Sequence, residues 1–409
     1  MKRIFYGYII VSFIFVLQVV MFGPRVSFGV FINPLTSEFN WSMALVSGAF
    51  AVSTIVQAFS SIVMGWLNDR IGPRFVLTLC GILVGSGLML MYLVDSVWQL
   101  YLLYVVLVGV GMGSLVAPQM STIARWFVKR RNIMTAVQMA GGGLGGLIGP
   151  LLITWLIYTY GWREAYLFIG AGVFVLVIVS AQFLRRDPYK MGQLPYGEEG
   201  KVAIKTPVDV SGLSSKQAFK TKKFWFFALI IFCVGFCLWT VMVHIVPYAI
   251  NQGISPEQAA LILSAMNGAQ PVGSVVWGLV ADRIGNRKVL VTCVCLLSAV
   301  IFLLLPLGNP WLIGFLVMVI ALGLGGVSVT QSSITAELFG MRSHGTILGY
   351  TVFTFSVGGA LGTYLAGALF DSTGSYQIIF LLCGALILAA VMMAMYLSRK
   401  RQQDEVYEQ

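Results

Sequence analysis

A few polar side chains lie inside long apolar stretches of this sequence, and these residues are the best placed to do chemistry. Arg25 lies in the first stretch, beside Gly23 and Pro24. An arginine in hydrocarbon costs at least about 2.5–3.5 kcal/mol unless it faces a cavity or a partner. Arg25 is therefore predicted to bind an anionic substrate. The alternative is that its side chain extends to the outer surface and braces the kink at Pro24.

A second ionisable residue, His244, lies at a similar depth in the seventh apolar stretch. Histidine titrates near neutral pH, whereas arginine stays protonated. We therefore predict that any proton coupling passes through His244 or through the substrate itself. The alternative is a neutral histidine that is bonded to a nearby carbonyl.

Side-chain amides supply most of the other polar groups in the apolar stretches. An amide at such a position can contact a substrate or form a hydrogen bond to a neighbouring helix. The amides predicted to bind substrate are Gln119, Asn267, Gln270 and Gln331.

The sequence predicts no enzyme activity, cofactor or metal site. The glycine-rich run at 141–149 lies within an apolar stretch and is not followed by a lysine, so it does not fit a phosphate-binding loop. The six cysteines all lie in apolar stretches, where they are expected to be buried small hydrophobic residues.

The elements that position these residues follow from composition. Of 409 residues, 58% are hydrophobic and only 10% are charged, whereas soluble domains carry roughly 25% charged residues. Lipid is therefore the expected solvent. Stretches of about 20 apolar residues span the bilayer as helices. The sequence thus predicts an all-α membrane protein with twelve transmembrane helices, at 5–33, 42–67, 75–95, 98–125, 132–159, 164–184, 224–250, 256–281, 288–307, 310–338, 345–370 and 375–398.

The positions of the basic residues predict the topology. The net charge is +11, and 24 of the 26 Lys and Arg residues fall on one side of these helices. By the positive-inside rule that side is cytoplasmic and holds both termini of a multi-pass protein of the cell inner or plasma membrane. The exceptions are Arg25 and Arg163. The charge thus marks topology rather than nucleic-acid binding, and we expect a monomer as the functional unit.

An internal repeat relates the two halves of the chain. A shift of 213 residues aligns Pro34 with Pro247, Ser42 with Ser255, and the run that begins at Gly65 with the run that begins at Gly278. Repeated six-helix halves are typical of transporters, whose substrate site lies near the bilayer midplane. The predicted organisation is a bundle at 1–185, a cytoplasmic linker at 186–223, a bundle at 224–401 and a tail at 402–409.

The repeated run resembles the signature of the major facilitator superfamily, Gly-x-x-x-Asp-Arg-x-Gly-x-Arg/Lys, and it occurs after the second helix of each half. The resemblance implies the major facilitator fold. Charged residues beside helix ends can hold a gate shut and re-form on switching. The residues predicted to form this cytoplasmic gate are Asp69, Arg70, Asp282 and Arg283.

Other strings resemble the prokaryotic branch of the monocarboxylate transporter family. They include 22–31 around Arg25, 126–131, 160–166 and 371–376. The family places a lysine near the outer end of its substrate path, where this chain has Arg25. In that family the eighth helix binds substrate, so the resemblance favours Asn267 and Gln270 as substrate-binding residues.

Two departures from related families bear on the substrate. The positions where the monocarboxylate family has an Asp and an Arg in the eighth helix are Met266 and Gln270 here. The related oxalate/formate exchangers have a lysine in the eleventh helix, but Thr351–Phe370 contains no cation. A dianionic substrate is therefore disfavoured.

The predicted function is secondary active transport of a small organic monoanion, a monocarboxylate, by proton symport and alternating access. One alternative is exchange or export of a neutral or amphipathic small molecule, because the eighth-helix Arg is missing. The other is a transporter-like sensor or scaffold, which the short C-terminal tail argues against.

Overall fold

The computed structural model describes residues 5–198, 212–304 and 309–406. Parts of the predicted linker, of the ninth apolar stretch and of both termini lie outside these ranges. The described residues form twelve long helices, which are α1 (Tyr6–Phe39), α2 (Met43–Ile71), α3 (Pro73–Leu93), α4 (Val97–Trp126), α5 (Arg131–Tyr160), α6 (Trp162–Phe183), α7 (Lys222–Asn251), α8 (Pro256–Ile284), α9 (Asn286–Leu304), α10 (Pro310–Phe339), α11 (His344–Thr373) and α12 (Gln377–Val406).

Eleven of these helices are long and apolar enough to cross a membrane. The twelfth, α8, has 29 residues and is therefore also long enough to cross a membrane. Large apolar side chains such as Leu147 and Leu151 on α5 are exposed. Exposure of this kind is expected where lipid, rather than water, surrounds the helices.

Two helices of the first half are interrupted. In α1 the helical segments Tyr6–Val26 and Phe28–Phe39 meet at Ser27, whose hydroxyl donates to the Gly23 carbonyl at 2.7 Å. Pro24 precedes this break and cannot donate a backbone hydrogen bond. In α4 the wide helical turns of Tyr101–Val108 are followed by a tighter turn and then by Ala117–Trp126. Such irregularities are common near functional sites.

The chain divides into two units by its contacts. The first consists of Met1–Gly212 with Met341–Val352, and the second of Leu213–Gly340 with Phe353–Gln409. The first turns of α11 therefore pack with α1 to α6. The predicted domain boundaries stay predictions.

Equivalent positions of the sequence repeat adopt the same local structure. Ser42 and Ser255 are both N-caps, and each hydroxyl accepts a backbone N–H three residues further on. Gly72 and Gly285 end α2 and α8 with φ values of 95° and 97°. A side chain at either glycine would be strained, because this backbone conformation favours glycine. The repeat thus specifies matching helix starts and turns.

Glycines also give the two halves the same close helix packing. A Cβ atom on Gly145 of α5 would lie 2.4 Å from the Val19 carbonyl oxygen of α1. At the equivalent pair, a Cβ on Gly358 of α11 would lie 2.3 Å from the Phe232 carbonyl oxygen of α7. Small residues allow such close approach of helix backbones in membranes.

Replacing Gly145 by alanine is therefore expected to destabilise the first half by about 1–3 kcal/mol, the usual cost of overpacking. The measurement is thermal unfolding in detergent. Gly172→Ala on α6 is the control, because a Cβ there meets no atom within 4 Å. Equal stability of the two variants would contradict the predicted α1–α5 contact.

Candidate functional site

Arg25 lies in the last turn of the first segment of α1 and is half-buried. No described residue forms a hydrogen bond or ion pair with its guanidinium group, and its electrostatic neighbour is Tyr104 of α4. A buried charge without a partner is costly. This half of the protein therefore contains an unneutralised cation inside a membrane-spanning helix.

Two buried tyrosines of the first half pack against α1, the helix that carries Arg25. Tyr104 packs against Phe28 with ring centroids 4.4 Å apart, and Tyr166 of α6 stacks on Phe31 at 3.8 Å. Phe28 and Phe31 are three residues apart and so share one face of α1. The Tyr166 hydroxyl is buried and has no hydrogen-bond partner among the described residues. A guanidinium and an unpaired hydroxyl can both donate hydrogen bonds to an anion.

Gln119 lies in a buried amide pair of the first unit. Its Nε2 lies 3.5 Å from the Ser114 carbonyl oxygen, and its Oε1 accepts a hydrogen bond from Gln138 of α5 at 3.4 Å. Both glutamines are almost fully buried. The structure thus gives Gln119 an inter-helix partner, and within the described ranges no hydrogen bond joins it to Arg25.

His244 links three helices of the second unit. Its Nε2 lies 3.1 Å from the Thr363 carbonyl oxygen, and its Nδ1 lies 3.4 Å from the Tyr376 hydroxyl. A carbonyl oxygen can only accept, so Nε2 carries the proton, and Nδ1 of the neutral ring accepts from Tyr376. His244 therefore has the carbonyl partner that the alternative interpretation requires, and a second partner that could respond to protonation.

The predicted amides of the second unit lie on α8 and α10. Asn267 is exposed and donates to the Leu263 carbonyl of its own helix at 3.1 Å. Gln270 is half-buried one turn further along α8, and Gln331 is half-buried on α10. No described contact joins these three side chains to His244.

Asp69, one of the predicted gate residues, binds the start of another helix. It is buried, and its carboxylate accepts hydrogen bonds from the backbone N–H groups of Gly345 and Thr346 and from the Thr346 hydroxyl, at 3.0, 2.7 and 2.9 Å. These groups belong to the first turn of α11, which packs with the first unit. A carboxylate at a helix N-terminus satisfies free N–H groups and interacts favourably with the helix dipole.

Asp69 also belongs to a charged group with Arg125 and Asp187, which we call the Asp69 cluster. The sequence interpretation missed both of these partners. The Arg125 guanidinium lies 3.4 Å from Asp69 and 3.3 Å from Asp187, and it donates to the Met341 carbonyl at 3.0 Å. Burial and the neighbouring Arg125 lower the pKa of Arg186 below its ordinary value. Arg125 was interpreted only as a topology signal, and no local pattern pairs it with residues 56 and 62 positions away.

The remaining gate residues are in different surroundings. Arg70, Asp282 and Arg283 are all exposed, and the guanidinium of Arg70 lies over the Trp66 ring at 4.2 Å. The repeated Asp residues therefore differ, because Asp69 is buried and Asp282 is not. Of the four residues, Asp69 is the one that the structure brings together with the first turn of α11.

Arg163, in the first turn of α6, has acidic partners. Its guanidinium pairs with Glu38 at the end of α1 and with Asp95, which precedes α4, at 3.1 Å in the latter case. These contacts hold the ends of α1, α4 and α6 together. The two acidic partners also explain why an arginine is found at an end of the helices where few other Lys or Arg residues lie.

Comparison with known proteins identifies the family. The family model of the Major Facilitator Superfamily matches residues 14–266 and 245–408. The chain is 28% identical to monocarboxylate transporter 13 of Bos taurus over 94% of this chain and 87% of that protein. It is 29% identical to the oxalate:formate antiporter of Oxalobacter formigenes over 84% and 81% of the two chains.

Solved structures show the same fold. The E. coli fucose:proton symporter has a TM-score of 0.71 at 13% identity, with 95% of this chain and 99% of that chain covered. The human organic anion transporter MFSD10 has a TM-score of 0.70 at 14% identity, with the same coverage. The resemblance to major facilitator and monocarboxylate transporters, the fold of two six-helix halves, and the prediction of a transporter rather than an enzyme are confirmed. This multi-pass membrane protein belongs to the Major Facilitator Superfamily.

Proposed function

We propose that this transporter moves a small organic monoanion of the monocarboxylate class, and that Arg25 binds the carboxylate. The observation that carries the proposal is the half-buried Arg25 guanidinium, which has no hydrogen-bond or ion-pair partner among the described residues. Arginine and carboxylate groups form paired, charge-assisted hydrogen bonds. A bound monoanion would neutralise Arg25 and lower the cost of its burial. The relatives named as monocarboxylate transporters support the same substrate class.

The other predicted binding residues are uncharged, which favours a substrate with a single negative charge. Gln119, Asn267, Gln270 and Gln331 can orient such a substrate through hydrogen bonds but cannot neutralise a second carboxylate. The protein is proposed to work by alternating access of its two halves, as a monomer in the cell inner or plasma membrane. The distribution of Lys and Arg supports the proposal that both termini lie in the cytoplasm.

Proton coupling is proposed to use His244. In the neutral ring, Nδ1 accepts from the Tyr376 hydroxyl while Nε2 donates to Thr363. Protonation makes Nδ1 a donor, so the Tyr376 hydroxyl must turn its own hydrogen away and accept instead. One proton therefore rearranges the contact between α7 and the start of α12.

His244→Gln is expected to abolish the response of uptake to a pH gradient, because glutamine can form hydrogen bonds but cannot take up a proton at neutral pH. With one proton per anion, a gradient of one pH unit supports up to about tenfold accumulation of substrate. Uptake into proteoliposomes with and without the gradient measures this ratio.

Tyr376→Phe is the control for a purely structural role of His244. It removes the hydroxyl whose hydrogen bond rearranges on protonation but keeps the His244 ring and its contact with Thr363, so pH stimulation is expected to weaken without disappearing. If His244→Gln keeps the full pH response, the proposed coupling residue is wrong.

The Asp69 cluster is proposed to act as a gate. Asp69 holds the first turn of α11 through three hydrogen bonds and also contacts Arg125. Release of the first turn of α11 during transport would expose these backbone N–H groups and Arg125 to water. Arg70, Asp282 and Arg283, which are exposed, are proposed to take part in the gate in other states of the cycle.

Substrate competition in proteoliposomes tests the proposed function. Uptake of labelled lactate is measured while unlabelled lactate or its uncharged amide, lactamide, is added. The proposal predicts uptake that lactate inhibits and lactamide does not. If no monocarboxylate is transported but neutral or amphipathic compounds are, the protein is instead an exchanger or exporter of such compounds. Uptake only into liposomes loaded with a second anion would indicate exchange rather than symport.

A further inference from the structure

Apart from Arg25 and the Asp69 cluster, the first unit contains a buried set of three glutamines on three different helices. Gln18 of α1 is 6% exposed, and a Cβ on Gly142 of α5 would lie 3.5 Å from its Cγ and 3.6 Å from its Nε2. Gln138 lies one turn before Gly142 on the same face of α5. Gln138 in turn donates to Gln119 of α4. We call Gln18, Gln119 and Gln138 the amide cluster.

The hydrogen bonds of the amide cluster leave two acceptors unused. Gln119 directs its Nε2 toward the Ser114 carbonyl, which can only accept, and this fixes its Oε1 toward the Nε2 of Gln138. The Oε1 of Gln138 must then point away from Gln119. It is buried without a partner among the described residues, and so is the Oε1 of Gln18.

Two buried, unpaired amide oxygens need a hydrogen-bond donor. The amide cluster itself carries no charge. Arg25 lies seven residues after Gln18 on α1, so the two residues share a face at a distance of roughly 10 Å along the helix. A second cation close to Arg25 would be repelled, and this favours a neutral donor such as a hydroxyl group over an ammonium group.

We propose that the amide cluster accepts a hydrogen bond from a hydroxyl group of the transported carboxylate. This inference rests on the proposed function, because the carboxylate is held at Arg25. The separation of Gln18 and Arg25 along α1 requires a hydroxyl that is several carbon atoms from the carboxylate. The preferred substrates are therefore medium-chain hydroxycarboxylates rather than unsubstituted acids of the same length.

Competition between two matched acids tests this specificity. Hexanoate and 6-hydroxyhexanoate have the same charge and differ by one terminal hydroxyl group. In wild-type proteoliposomes, 6-hydroxyhexanoate is expected to inhibit uptake of labelled monocarboxylate at about five- to tenfold lower concentration than hexanoate. This ratio corresponds to the net contribution of roughly one hydrogen bond to binding. Gln18→Leu and Gln138→Leu are expected to bring this ratio close to one.

The controls separate this inference from the proposed function. Arg25→Gln should weaken inhibition by both acids and leave their ratio unchanged, whereas inhibition by neither acid in the wild type would contradict the proposed function. Gln182→Leu, a glutamine outside the amide cluster that bonds to Arg74, should keep the wild-type ratio. If a leucine variant does not fold, the milder Gln→Met variants are used at the same positions.

Three results would overturn the inference while the proposed function stands. The first is equal inhibition by the two acids in the wild type, which would mean that the amide cluster binds only water. The second is a wild-type ratio that persists in folded Gln18 and Gln138 variants. The third is stronger inhibition by 6-aminohexanoate than by 6-hydroxyhexanoate, which would assign the amide cluster to an ammonium group.

Discussion

Replacement of Asp69 by alanine is expected to destabilise the first half of the protein by about 3–5 kcal/mol, the usual cost of removing one partner of a buried ion pair. The variant leaves Arg125 buried with Asp187 as its remaining acidic partner, and it removes the acceptor of two backbone N–H groups at the start of α11. Thermal unfolding in detergent measures the loss of stability. Uptake should also fall sharply, because α11 is no longer held in this state.

The sequence repeat supplies a matched control for this prediction. Asp282 occupies the equivalent position of the second half but is exposed. Asp282→Ala is expected to change stability by less than about 1 kcal/mol, as for most surface positions. Asp69→Asn should have an intermediate effect, since its amide oxygen still accepts a hydrogen bond while the negative charge is lost.

Equal effects of Asp69→Ala and Asp282→Ala would show that the motif acts only as a charged turn in both halves. Asp69→Ala could instead lower stability strongly while the folded fraction still takes up substrate normally. That result would show that the Asp69 cluster stabilises the fold and does not act as a gate. The proposed gate requires that both stability and transport depend on Asp69.

Much of the fold could be predicted from the sequence, because the bilayer imposes simple rules on it. Length and apolarity specify spanning helices, and the shift of 213 residues predicted that Ser42 and Ser255 would start equivalent helices, as they do. The same shift aligns Gly145 with Gly358, and both glycines pack closely against the backbone of a neighbouring helix. In each of these cases the information is local, or it is repeated at a fixed spacing.

The candidate site was less predictable, because its contacts join residues that are distant in sequence. Arg125 and Asp187 looked like ordinary charged residues near helix ends, and nothing in the sequence indicates that Arg125 would be buried between Asp187 and Asp69. Tyr166 ends a segment that resembles the monocarboxylate family, but its buried, unpaired hydroxyl becomes visible only once α6 is packed on α1. Glycine, proline and charge patterns report the properties of single helices, whereas these pairings depend on how several helices pack.

The asymmetry between the halves also could not be predicted from the repeat. Asp69 and Asp282 belong to matching motifs, but only Asp69 is buried against the start of another helix. In the second half, an ion pair joins Arg287 to Glu337 at 3.4 Å. A duplicated motif therefore preserves a turn more reliably than it preserves the partners of its charged residues.

Arg25→Gln is expected to reduce the apparent affinity for a monocarboxylate by about 10- to 150-fold, which corresponds to the 1.5–3 kcal/mol of a hydrogen bond to a charged group. Glutamine keeps the ability to donate hydrogen bonds but removes the positive charge that attracts the anion. Arg25→Lys should retain part of the affinity, since lysine keeps the charge but cannot form the planar paired contact. Concentration-dependent uptake in proteoliposomes gives the apparent KM for each variant.

The control for this prediction is Arg163→Gln, which removes the only other arginine that lies away from the predicted cytoplasmic edge. Arg163 is already paired with Glu38 and Asp95, so its loss should lower stability and leave the apparent KM unchanged.

Unfolding measurements on Arg25→Gln complete the comparison. Removal of an unpaired buried charge should leave stability equal or higher, whereas removal of a residue that braces the helix kink at Pro24 should lower it. A less stable Arg25→Gln variant with a normal KM would therefore assign Arg25 to the kink and not to the substrate.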